Sequence, residues 1–372
     1  MLQMVYNKIS FTSSERKRKT NKERSKIMAI QTIIDRQYDI ACNRAADIRL
    51  PKQKIYAMCN LRGGIGKTTL SFNLSYLGDN MLVLDTCPQG NLSFFYDNNY
   101  YSGQQTNVKD MLLPYLIPGL GKATRVASYI GATNKYFSSK NSYYIPSSEE
   151  LYLLPSQLIT AINQANGLQE PFRTQSLKSI LYSLKTEIDR EMSENELDKC
   201  IIDTSPFFAG ATQLAWYAAD ALVIPVRTDQ QSIKSLELLI NTLSNPQSEF
   251  RKYLPESDVN IPQIHMVVLT HCGWSTVSGA RNEPNQQTKV YIKKVYDILS
   301  KHRTMLTTNN PDNHLFLLDD FLGSGRISSI ESKPIELLRA GETKTIDRVR
   351  VSVNQSVDKC KNQLKYIYNQ LW

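Results

Sequence analysis

The segment Arg62-Gly63-Gly64-Ile65-Gly66-Lys67-Thr68-Thr69 constrains this chain more than any other feature in it. It follows a short apolar run of β type, residues 54–60, and opens straight into the helical pattern of residues 68–77. Strand, glycine-rich turn and helix in that order make a cradle for phosphate. The glycines let successive backbone N–H groups converge on anionic oxygens, and the helix N-terminus adds partial positive charge. In such a loop Lys67 reaches the β- and γ-phosphates of a nucleotide, and the Thr68 hydroxyl joins a Mg²⁺ shell. The ordinary form of the loop needs glycine at position 61, where this chain has Leu61. A basic residue followed by two glycines, Arg62-Gly63-Gly64, is the deviant form.

Four more apolar runs follow: residues 81–85 (MLVLD), 199–203 (KCIID), 221–226 (ALVIPV) and 265–270 (HMVVLT). Continuous apolar runs separated by helical segments indicate strands buried on both faces. The expected fold class is therefore α/β, a mostly parallel sheet of the P-loop NTPase type flanked by helices. Two of the runs close in an acid, Asp85 and Asp203. Strand C-termini border the ligand crevice of an open α/β sheet, so both acids suit a ligand site; a helix cap is the alternative, more for Asp85 than for Asp203. Residues 94–198 are rich in Tyr, Ser, Asn and Gln and read as helices and loops at the sheet edge. The pairs Tyr100-Tyr101 and Tyr143-Tyr144 suit either packing gaps or base stacking.

The ends of the chain differ in texture from its middle. Residues 1–27 carry eight basic side chains against Glu15 and Glu23, most of the net charge of +9, and lack apolar periodicity. They read as a disordered arm, either a binder of nucleic-acid backbone or a solubilising tail. Residues 28–50 form an amphipathic helix by spacing, with Met28 as a second candidate start, and residues 51–372 form one domain. The last segment, 357–372, reads as a helix closing the core rather than as a membrane-surface element. No apolar stretch reaches the ~20 residues of a membrane span, and no secretory signal is visible, so a cytoplasmic protein without a membrane partner is expected. The six cysteines form no CxxC pair, which argues against a zinc site or a disulfide framework.

Taken together, residues 60–77, 83–93 (VLDTCPQGNLS), 200–214 (CIIDTSPFFAGATQL), 218–236 and, more loosely, 325–335 resemble the ParA/MinD family of deviant-Walker ATPases, and within it the ParA-type partition proteins. The resemblance implies ATP and Mg²⁺ as cofactors. Gly63, Gly64, Ile65, Gly66, Lys67, Thr68 and Thr69 would bind the nucleotide, and Thr68 and Asp203 the metal. Lys67, Arg62 and Asp85 would take the catalytic roles, and the stretch from Pro225 to Asp229 would lie near the adenine. It also implies a homodimer in the ATP state, non-specific DNA binding, a small DNA-binding or effector protein as partner, and service in partition of a plasmid or mobile element.

Two departures qualify that expectation. The family's signature lysine, which reaches the partner protomer's phosphates, is Arg62 here. The second of two acids in the family's second-strand motif, the one that positions the attacking water, is Cys87. A neutral thiol is a poor base, so weak turnover is expected. A nucleotide sensor or scaffold that hydrolyses poorly, in a mobile-element or defence system, is the alternative.

Overall fold

The computed structural model describes residues 13–100, 105–121, 125–276, 282–346 and 348–372, with side chains from residue 23 onward. Ten strands are present among them: β1 (Ile55–Met58), β2 (Met81–Asp85), β3 (Ser128–Tyr129), β4 (Ser142–Ile145), β5 (Lys199–Asp203), β6 (Ala221–Arg227), β7 (Gln263–Cys272), β8 (Leu315–Asp319), β9 (Thr343–Ile346) and β10 (Val349–Ser352). The first eight form one sheet in the order β3-β4-β2-β5-β1-β6-β7-β8, and β9 and β10 form a separate hairpin. Every pairing in the large sheet is parallel except β3 with β4. The sheet is thus the mostly parallel one the sequence implies.

Alternate residues of each central strand enter two different cores. Ile55, Ala57, Leu82, Leu84, Cys200 and Ile202 face one. Tyr56, Met58, Met81, Val83, Ile201 and Val223 face the other. A strand buried on both sides needs apolar residues at every position, which is why these runs are continuous rather than alternating.

The helices are α1 (Ser13–Ala41), α2 (Lys67–Leu77), α3 (Asn91–Tyr96), α4 (Val108–Leu116), α5 (Leu154–Asn166), α6 (Phe172–Leu181), α7 (Ser183–Glu194), α8 (Ala211–Ala218), α9 (Gln230–Ser244), α10 (Gln286–Lys301), α11 (Leu322–Glu331) and α12 (Val357–Leu371). One core is closed by apolar residues of α4 to α10, the other by those of α2, α3, α11 and α12. Helix α1 serves both, with Ile33 and Ile34 in the first core and Ile40 in the second. It thereby covers the outer edge of β8, where the Arg36 guanidinium donates to the carbonyls of Asp312 and Leu315 and lies 5.2 Å from the Phe316 ring centroid. Covering an edge strand this way removes a template for unwanted pairing.

The N-terminal boundaries differ from expectation. Instead of a helix over 28–50 preceded by a disordered arm, the helix runs from Ser13 to Ala41. Arg, Lys and Glu are good helix formers even without an apolar stripe, and no glycine or proline interrupts residues 13–41. The helix ends where Asn43 turns left-handed (φ 54°) and its amide bonds to the Ile40 carbonyl, well before Pro51. Residues 1–12 of the expected arm lie outside the described residues.

Residues 94–198 hold more sheet than expected, since β3 and β4 extend it beyond β2. Tyr144 sits in an aromatic cluster, 5.3 Å from Tyr96, and Tyr143 packs against Tyr129 at 5.7 Å. These rings fill packing gaps; Tyr101 lies outside the described residues. The C-terminal helix closes the second core as expected. Tyr56 donates through its hydroxyl to the Leu371 carbonyl (2.9 Å), and His265 Nε2 pairs with the Gln370 carbonyl (2.9 Å).

That last contact carries a pH signature. Burial pushes the His265 pKa down to about 4, with His314 and Lys52 adding to the effect, and burial likewise lowers His314. Below pH 6.5 the unfolded chain therefore binds protons that the folded chain refuses. Stability is complete above pH 6.5 and falls as pH drops towards 4, by about 2 kcal/mol at pH 5 for His265 alone. Urea unfolding at pH 7.5 and 5 should show this loss, and His265→Gln should reduce it. An unchanged pH slope in the variant would remove His265 from the account.

Candidate functional site

The loop from β1 to α2 lies at the C-terminal edge of the sheet, with β1 flanked by β5 and β6. From β1 the chain winds outward to β2 and β4, and from β6 in the other direction to β7 and β8. A ligand crevice is expected where the winding reverses. Two loop glycines have left-handed backbone, Gly64 (φ 69°) and Gly66 (φ 93°), a conformation that costs glycine little and other residues more. Ile65 between them is buried and anchors the loop, and its carbonyl accepts from Thr270 Oγ1 at 3.0 Å. The amides of Gly63, Gly64, Ile65 and Gly66 have no acceptor among the described residues. Unsatisfied donors converging at a helix start fit a polyanion.

Lys67 begins α2 and is buried. Its ammonium donates to the Arg62 carbonyl (2.8 Å) and reaches the Asn60 carbonyl (3.4 Å), so it folds back along the loop. Burial lowers its pKa, and the Asp203 carboxylate partly restores it. The next residue, Thr68, donates through its hydroxyl to Asp203 Oδ2 (2.7 Å), and Ser71, one turn further, donates to Asp203 Oδ1 (3.0 Å). A hydroxyl and a carboxylate side by side below a phosphate loop are oxygen donors of the kind Mg²⁺ takes, usually with several waters retained.

Asp85 and Asp203 are paired in register across β2 and β5, and both are buried. Burial pushes both carboxyl pKa values up; for Asp85 the neighbouring Asp203 charge adds to the shift. Asp85 Oδ2 accepts from the amide and hydroxyl of Ser93, both at 2.9 Å, and Oδ1 from the Cys87 amide at 3.1 Å. With both oxygens engaged, Asp85 holds residues 87–93 in place. Cys87 is buried beside it, and burial and then the Asp85 charge raise its thiol pKa, so the sulfur stays protonated at neutral pH.

Arg62 does not project freely. Its Nη1 pairs with Asp229, the N-cap of α9, and donates to Ser232 Oγ at 3.1 Å. Partial burial works against the Asp229 charge, but the Ser232 amide and the Arg62 guanidinium hold its pKa below the ordinary value. Pro225, expected near the adenine, lies inside β6, where its carbonyl accepts from Asn60 Nδ2 at 2.7 Å. An open cavity of about 720 Å³ lies on the β7–β8 side of the loop, bordered by Gly64, Gly66, Thr69, His271 and Asp320.

The structure thus brings together the loop residues 62–69, Asp85, Asp203 and Cys87. Sequence reasoning missed Ser71, Ser93 and Asp229 as their partners. It also missed β8, although residues 315–319 (LFLLD) carry the same signal of an apolar run closing in an acid that located β2 and β5.

Known proteins resemble this chain in sequence and in fold. The family model described as an AAA domain, AAA_31, matches residues 53–255. Sporulation initiation inhibitor protein Soj of Bacillus subtilis is 29% identical over 197 residues, 51% of this chain and 64% of Soj. A Thermus thermophilus protein named "Probable plasmid-partitioning protein ParA" is 26% identical over 215 residues, 57% of this chain and 55% of that protein. The matches therefore span less than two thirds of these relatives. The solved ATP complex of a McdA variant from Cyanothece shares the fold, with a TM-score of 0.54 and 17% identity over 76% of this chain and 89% of that one. No helix among the described residues is long and apolar enough to cross a membrane. The chain belongs to the AAA_31 family of AAA domains and, within it, to the ParA/MinD group of P-loop ATPases.

Proposed function

We propose that the chain is a ParA-type nucleotide switch: it binds ATP·Mg²⁺ at the 62–69 loop, dimerises face to face in that state, binds DNA non-specifically, and serves partition of a plasmid or mobile element, with hydrolysis held slow by Cys87. The observation that carries this reading is the meeting of Lys67, Thr68 and Asp203 beneath four unsatisfied loop amides. Gly63 to Thr69 would wrap the phosphates, Lys67 would turn from the loop carbonyls to the β- and γ-phosphates, and Thr68 with Asp203 would hold the metal and its waters. Bound Mg²⁺ supplies charge neutralisation across the phosphates. The basic N-terminal segment would contact the DNA backbone, with affinity falling steeply as salt rises. A stimulating partner would be a small DNA-binding or effector protein.

Cys87 favours a second reading, a sensor or scaffold with little turnover. The protonated thiol cannot take a proton from water, and both Asp85 oxygens are already engaged. Losing a positioned base costs ~10²–10⁴-fold in rate.

Lys67→Met should lower ATP·Mg²⁺ affinity by about 100-fold, since a charge-assisted partner of the phosphates is lost, roughly 2.7 kcal/mol. Thermal stability should change little, because the desolvation cost of the buried ammonium offsets its carbonyl bonds and its attraction to Asp203. Calorimetry showing wild-type affinity would sink the phosphate-loop assignment.

Arg62→Ala should leave nucleotide affinity within a few-fold and abolish an ATP-dependent doubling of mass in light scattering. A mutant that still dimerises would show that Arg62 does not cross to the partner.

Cys87→Asp should raise single-turnover phosphate release at least about tenfold, and Cys87→Ser should change it little, because a hydroxyl is no better a base. Fast release by the wild type, untouched by Cys87→Ser, would mean that another group positions the water and that the motor reading stands without impairment.

A further inference from the structure

The cavity on the β7–β8 side of the loop is larger than a phosphate chain needs. At about 720 Å³ it falls in the ~300–1,000 Å³ range of small-molecule sites, whereas a water occupies ~30 Å³. Its near side is the phosphate loop itself, through Gly64, Gly66 and Thr69. Its far side is not part of the large sheet: Ile346, Val349 and Val351 come from the β9–β10 hairpin, and Leu322 and Ile330 from α11.

Three of these wall residues are apolar and exposed, Leu322 at 58%, Ile330 at 51% and Val349 at 60%. Apolar side chains gathered at the mouth of one cavity mark a surface that a ligand covers. Two non-glycine residues bordering the same cavity also have left-handed backbone, His271 (φ 56°) and Leu322 (φ 44°). Such conformations cost ~1–3 kcal/mol each and gather at ligand clamps. His271 lies within the register shift between Leu269 and Cys272. Its Nδ1 lies 3.2 Å from Thr270 Oγ1, the same hydroxyl that holds the Ile65 carbonyl of the loop. The cavity wall and the phosphate loop are therefore bonded to each other.

The hairpin is fixed in place rather than hinged. A side chain at Gly323 of α11 would collide with the Ser352 carbonyl, so glycine there permits the two elements to touch. Asn354 and Ser324 exchange hydrogen bonds at 3.0 and 3.1 Å, Lys333 pairs with Glu342 at 3.0 Å, and Lys344 pairs with Glu331.

We infer that the β9–β10 hairpin is the apolar wall of the nucleoside subsite: the base of the bound nucleoside triphosphate packs on Ile346 and Val349 while its phosphates lie in the 62–69 loop. The inference rests on the nucleotide-binding reading above. Continuity with Gly64, Gly66 and Thr69 selects the nucleoside over any occupant not attached to phosphate, and the apolar wall suits the flat face of a base.

The test compares two probes in calorimetry, ATP·Mg²⁺ and tripolyphosphate·Mg²⁺, which shares the phosphates and lacks the nucleoside. The variants are Val349→Gln, at an exposed position, and Ile346→Gln, at a half-buried one that packs on the second core, with thermal unfolding read alongside to show that each is folded. Each should lower ATP affinity about tenfold, one decade per 1.4 kcal/mol, and leave tripolyphosphate affinity within two-fold. Unchanged ATP affinity with tripolyphosphate still bound overturns the hairpin assignment and leaves the phosphate loop standing. An equal fall for both probes also overturns it, because the hairpin would then act on the loop rather than on the nucleoside. A wild-type protein that binds neither probe removes the nucleotide-binding reading itself.

Discussion

Two carboxylates, Asp85 and Asp203, end adjacent parallel strands inside the protein, and much of the surrounding structure answers the electrostatic problem they pose. Ionised together at the ~5 Å strand spacing, they would repel by roughly 3 kcal/mol at an effective dielectric of ~20, on top of the cost of burial. The chain meets this with neutral hydroxyls and amides from two neighbouring segments: Thr68 and Ser71 of α2 on Asp203, Ser93 and the Cys87 amide on Asp85. The Lys67 charge draws the Asp203 pKa back down against burial, but its ammonium is itself held by loop carbonyls. A site with two depressed acidities and one half-committed ammonium is arranged for an additional cation and an additional anion, which is what a metal-bound nucleotide brings.

The same local economy explains what could be read in advance. Continuous apolar runs identify β1, β2, β5, β6 and β7 because strands buried on both faces have no polar positions to obscure them. The loop identifies itself because few other uses exist for three glycines before Lys-Thr at a helix start. By contrast β4, Ser142–Ile145, contains a serine and two tyrosines and gains its strand identity from pairing with β2, a tertiary fact. The hairpin β9–β10 is polar on its open side and is held by α11 through Ser324, Asn354 and paired charges, so nothing in its own periodicity joins it to a site more than 270 residues earlier in the chain. The start of α1 was hidden for the opposite reason: charged residues with high helix propensity resemble a disordered tail when only apolar spacing is counted.

Arg62 shows how a substitution can keep one contact while offering another. Its Nη1 serves both Asp229 and Ser232, whereas Nη2 and Nε have no partner among the described residues. A lysine has its three donors on one atom and could serve a second anion only close beside Asp229; the planar guanidinium can hold α9 with one nitrogen and present two more further away. The Asp229 pair is about one-third exposed on each side, and pairs of this kind are worth ~0–1 kcal/mol, against ~1.5–3 kcal/mol for a hydrogen bond to a charged group in a drier setting. A phosphate offered to the free nitrogens therefore need not displace Asp229, and if it does, the balance still favours the phosphate. Asn60 extends this link into the core, donating to the Pro225 carbonyl and accepting from Ser235 of α9. The entry to the phosphate loop is thus fastened to one helix, α9, at two separate points, Asn60 through Ser235 and Arg62 through Asp229 and Ser232.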